Sequence, residues 1–240
     1  MPGIKGLIER QQAEERIRQA QQGEGKPIIS LKWSDHQIVA VGNTLHWSKA
    51  WKTFVDFLGD YMKDKLGRDW GNAEIAKPLA DRHTILQWFD ALARQRAKHI
   101  GEPGEIRESE VTGAIACYFG VAYALYLLDH NVELQDRMIK RLKDAGQFQG
   151  AYYELLVLSV LIRAGFDLTL EDETDPNAKH CEFAAVSKAT GKKYWIEAKM
   201  RAVVGLLGRT AADGTTSSNP ISHMVGHLNG AWPSPRLTNA

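Results

Sequence analysis

Apolar residues recur along this chain with two periods, and the change from one to the other divides it. Trp47, Trp51, Phe54, Val55, Leu58 and Met62 fall at steps of three and four, which predicts a helix with one buried face and Ser48 as its cap. Ile85, Trp88, Phe89 and Leu92 repeat the pattern, as do residues 132–142. Helical spacing turns these aromatics to one side, so they are expected in a core rather than on a stacking platform. Residues 112–128 carry no charge and are expected as a buried helix, being at the lower edge of membrane-spanning length. A further amphipathic helix is predicted over residues 147–163, stopped by Ala164-Gly165 as a C-terminal glycine would stop it.

Beyond that glycine the period falls to two. Short strands are predicted at residues 166–170 (FDLTL), 182–187 (EFAAVS) and 193–198 (KYWIEA), with one earlier strand at residues 37–41 (QIVAV) ended by Gly42-Asn43. Residues 1–26 read as a surface helix or arm that ends in a linker. The expected organisation is α+β, with an arm and linker over residues 1–30, a helical domain over 31–145, and a small domain over 146–240 in which a helix precedes antiparallel strands.

Composition narrows the function. With 240 residues, 44% apolar and 25% charged, the chain is neither a disordered tail nor a collagen nor a disulfide scaffold. Cys117 and Cys181 have no metal-binding spacing, and the N-terminal residues lack a signal-peptide core, so a reducing cytoplasm is expected and no membrane partner. The formal net charge of +1 excludes a surface that is basic all over, so any polyanion site must be a local patch. His223 and His227 share one helical face, but the HMVGH segment lacks the glutamate a zinc protease needs, and no phosphate-binding glycine loop occurs.

The chemistry concentrates in the last hairpin. Glu197 and Lys199 are two apart on one predicted strand and therefore share a face. A turn centred between Ala189 and Thr190 sets Glu182 across from Glu197, one centred between Thr190 and Gly191 sets it across from Lys199, and a three-residue loop sends it to the opposite face. Two nearby carboxylates repel unless a cation lies between them, and a hard divalent ion with oxygen ligands meets that need. A neighbouring ammonium can stabilise an activated water or a developing phosphoryl charge. Glu154 stands among Leu155, Leu158 and Leu161, where a carboxylate is expensive without a partner.

The order of a helix bearing Glu154, a glycine stop, a strand, an acid at Glu182 and then the Glu197-Ala198-Lys199 triplet resembles the PD-(D/E)XK nuclease superfamily, whose core is that of restriction endonucleases. The resemblance covers residues 147–201. It implies a restriction-endonuclease-like core, Mg²⁺ or Mn²⁺ held by Glu182, Glu197 and the carbonyl of Ala198, Lys199 and Glu154 as further catalytic groups, and hydrolysis of nucleic acid, DNA foremost. Lys192, Lys193 and Arg201 are the expected phosphate contacts. The chain departs from the family pattern in having Glu182 after Cys181 instead of the commoner Pro-Asp, and in offering no clear strand among the 41 residues that follow Lys199. The core is accordingly expected to be incomplete, with a second copy of the chain or another protein as partner. The competing expectation is a non-catalytic helical interaction protein whose Glu182, Glu197 and Lys199 form an ion pair on a solvated hairpin.

Overall fold

A computed structural model describes residues 4–99, 108–170 and 183–199, and the fold is α+β. Helix α1 (Ile4–Gln22) is followed by a first sheet of β1 (Ser30–Trp33), β2 (His36–Val41) and β3 (Thr44–Ser48). Helices α2 (Phe54–Leu66), α3 (Arg68–Ile75), α4 (Thr84–Lys98), α5 (Gly113–Asn131), α6 (Asp136–Lys143) and α7 (Phe148–Arg163) come next. A second sheet closes the described chain, made of β4 (Phe166–Leu170), β5 (Phe183–Ser187) and β6 (Lys193–Ile196). Both sheets are antiparallel with strands in chain order.

The uncharged run becomes the central helix. α5 buries Tyr118, Val121, Leu125, Tyr126 and Leu128 and packs against α2, α4 and α7, so apolar residues are needed around most of its circumference. Among the described residues no helix is long and apolar enough to cross a membrane. α7 also packs on α6 and leads directly into β4, and the expected boundary near residue 145 falls inside a single compact unit that contains all of the described residues.

The helix expected from Trp47 begins seven residues later. Trp47 and Ser48 belong to β3, which pairs with β2 across the turn at Gly42-Asn43; Gly42 has φ +55°. The step-of-three spacing there was a coincidence of two elements, because Trp47 lies on the outer face of a sheet while Trp51 and Phe57 lie in the core. The cap is Thr53, whose hydroxyl accepts from the Asp56 amide while the Asp56 carboxylate accepts from the Thr53 amide.

The arm is a helix as expected, and the segment after it is anchored. The Glu24 amide donates to the Arg163 carbonyl at the end of α7, and the Lys26 amide donates to the Asn131 side chain at the end of α5. His130 ties the same region together: its Nδ1 accepts from the Gly42 amide at 3.1 Å and its Nε2 donates to the Pro27 carbonyl at 3.0 Å.

Candidate functional site

The hairpin between β5 and β6 adopts the first of the expected registers. Phe183 pairs with Ile196, Ala184 with Trp195, Ala185 with Tyr194 and Val186 with Lys193, which centres the turn between Ala189 and Thr190. Gly191 adopts φ +67° within this turn, a conformation that glycine reaches without strain. Cross-strand partners share a face, so Leu168, Phe183, Ala185, Tyr194 and Ile196 form one side of the sheet. Asp167, Thr169, Ala184, Val186, Lys193 and Trp195 form the other.

β6 is shorter than expected and ends at Ile196, so Glu197, Ala198 and Lys199 emerge just beyond the last ladder position. Glu197 and Lys199 nevertheless meet, with Nζ 2.7 Å from Oε1 and both side chains exposed. Solvent screening keeps the stability of such a pair small. Glu182 and Arg201 lie outside the described residues.

Glu154 has the partner its burial requires. On α7 it is nearly inaccessible, and its Oε2 accepts from Nη1 of Arg141, which projects from the last turn of α6. A desolvated carboxylate held by a guanidinium is satisfied both as a charge and as a hydrogen-bond acceptor. Arg141 was not legible as a functional partner in the sequence. Its position in a short amphipathic helix, with Met138 and Leu142 buried beside it, is the one local signal that it borders the core.

Lys192 and Lys193 are both exposed, at the turn and at the start of β6. The Lys193 ammonium stands 3.9 Å from the centre of the Trp195 ring, a cation on an aromatic face. Trp195 is exposed as well, so this pair presents positive charge and a π-surface together. Among the described residues no three His, Cys, Asp or Glu side chains gather as a metal site. In kind, the donors fit a hard cation: the exposed Glu197 carboxylate and the Ala198 carbonyl are oxygen ligands. Glu154, on α7, is held by Arg141.

No protein-family model matches the chain, and no match was found among curated proteins or solved structures.

Proposed function

We propose that the chain is a metal-dependent nuclease that hydrolyses phosphodiester bonds of nucleic acid, DNA foremost, in the cytoplasm. The observation that carries this reading is the register of the β5–β6 hairpin, which follows a helix with a buried acid and brings a glutamate and a lysine out together at the end of β6. In this reading Glu182, Glu197 and the Ala198 carbonyl hold Mg²⁺ or Mn²⁺. When bound, the ion lowers the pKa of water and neutralises charge on the phosphoryl oxygens. The Lys199 ammonium would steady the charge that develops on phosphate. Lys192, Lys193 and Arg201 neutralise backbone phosphates, and Trp195 offers a surface on which a base can stack. Glu154, on α7 and held by Arg141, supports the site.

A specific observation favours the non-catalytic reading as the second choice. Glu197 and Lys199 already neutralise one another on an exposed strand end. From residue 146 onward, moreover, nine Lys and Arg are matched by nine Asp and Glu. Nicking of supercoiled plasmid and cutting of single-stranded DNA, each with Mg²⁺ or Mn²⁺, separate the two. The nuclease reading expects cleavage by the wild type that EDTA stops and that Glu197→Ala and Lys199→Ala each reduce about 100-fold or more. Both side chains are exposed, so both variants keep the fold. Equal nicking by all three proteins, or none by the wild type, gives the ground to the interaction protein.

A further inference from the structure

Among the described residues, the first sheet leaves an apolar face without cover. Its inner side faces the helices: β2 buries Val39 and Val41 there, and His46 of β3 meets the rings of Phe57 and Tyr61 edge-on. The ladder fixes what lies on the other side. Leu31 pairs with Ile38 and Ile38 with Trp47, Trp33 pairs with His36, and Ala40 pairs with Leu45. Just before β1, Ile29 accepts a backbone hydrogen bond from Ala40 and extends the same face.

The exposure of these side chains is large. Trp33 is 71% exposed, Trp47 64%, Leu45 60%, Ile29 54% and Leu31 49%. At about 150–250 Å² for each large side chain, these fractions amount to roughly 450–750 Å² of largely apolar surface. That reaches past the upper end of the largest patch on a typical monomer, about 300–600 Å², and such patches mark interaction sites.

Charge selects the occupant. None of the eight residues on this face is Asp, Glu, Lys or Arg. At the rim, Lys49 is neutralised by Asp35 at 2.8 Å, and Asp35 also receives the His36 ring. A nucleic acid would require cations here, and a charged peptide would require the opposite sign. A face of apolar residues with one histidine at its edge and no formal charge is complementary to itself, which is the condition for a two-fold interface in which one patch serves both subunits. Two copies pressed together would bury about 900–1,500 Å² in total, a range that includes the lower bound of a standard specific interface.

We propose that the outer face of the first sheet is a homodimer interface, with two copies of Trp33, Trp47, Leu31 and Leu45 interleaved between sheets about 10 Å apart. This inference uses none of the residues assigned to hydrolysis and stands or falls separately from the nuclease reading.

Sedimentation velocity of the full chain over roughly 1–100 μM tests it. The wild type is expected to dimerise in this range. Trp47→Glu and Leu45→Glu are expected to weaken the dimer at least tenfold, since each buries an unpaired charge in the interface. The uncharged double variant Trp33→Ser/Trp47→Ser is expected to do the same through lost apolar contact, and far-ultraviolet circular dichroism confirms that the variants are folded. Val160→Glu, at an exposed position on α7, should dimerise as the wild type does. Three results overturn the proposal: a wild type that stays monomeric throughout, a dimer that survives both glutamate variants, or a monomer that instead binds neutral phosphatidylcholine vesicles through Trp47.

Discussion

The two sheets share strand number, order and direction, yet their central strands are buried differently. β5 is buried at Phe183, Ala184 and Ala185 in succession, so residues on both faces of its central strand are buried. β2 alternates, burying Val39 and Val41 and leaving Ile38 and Ala40 partly open. A continuous apolar run and an alternating one therefore report two-sided and one-sided cover respectively. The lesson lies in the outer residues of the first sheet, because one-sided cover normally goes with polar residues on the open side. Leu31, Trp33, Leu45 and Trp47 occupy it instead.

The sharpest way to break this comparison is to truncate one large ring in each sheet. Phe183→Ala, which empties a fully buried site, should lower the unfolding free energy by about 3–5 kcal/mol in urea denaturation. Trp47→Ala, measured where the chain is monomeric, should change it by about 0.5 kcal/mol or less. Comparable losses in both would mean that the first sheet is covered after all.

A smaller effect separates polar from apolar support of the second sheet. Glu154→Ala leaves the Arg141 guanidinium without its partner beside the core and should cost about 3 kcal/mol. Combining Glu154→Leu with Arg141→Leu should recover most of that loss, since a well-filled apolar pair replaces a desolvated ionic one. A double variant no more stable than Glu154→Ala would show that the pair does more than satisfy burial.

The smallest effect concerns how the first sheet is moored. Burial lowers the His130 pKa below the ordinary histidine value, outweighing the opposing hydrogen bond to the Pro27 carbonyl. The neutral ring is the form that accepts from Gly42 while donating to Pro27. The unfolded chain takes up its proton first as acid is added, so this contribution is complete above about pH 6.5 and is lost as pH falls toward the lower folded value. Hydrogen exchange should show the Gly42 amide and β2 losing protection between pH 7.5 and 5.5 while β5 retains it. Replacing His130 by Gln should flatten that difference, and equal loss in both sheets would refute the separate mooring.

Much of this architecture is legible in the sequence. Periodicity marks α4 and α7, the uncharged run marks α5, and the strand expected at residues 166–170 is β4 to the residue. Turn chemistry brought the hairpin down to a few registers, of which the structure adopts one. The failure at Trp47 has a plain cause: over a few residues, a strand followed by a helix can imitate the spacing of a helix alone. Two of the three first-sheet strands, β1 and β3, carry their apolar residues outward, so no buried face advertised them. At the candidate site, Glu197 and Lys199 meet just past the end of β6, not on the strand that a spacing of two suggested. The guanidinium that meets Glu154 is not legible in the sequence, because Arg141 lies thirteen residues away on another helix.

The sequence by itself determined which residues are apolar, where the period changes, and therefore where most elements begin and end, since these depend on local spacing and backbone preference. Only the tertiary structure decided which faces are covered, that Arg141 neutralises Glu154, and that His130 joins three segments at the end of α5. Those outcomes depend on the approach of residues distant along the chain, and local propensity carries no record of what arrives on the other side of a strand or helix.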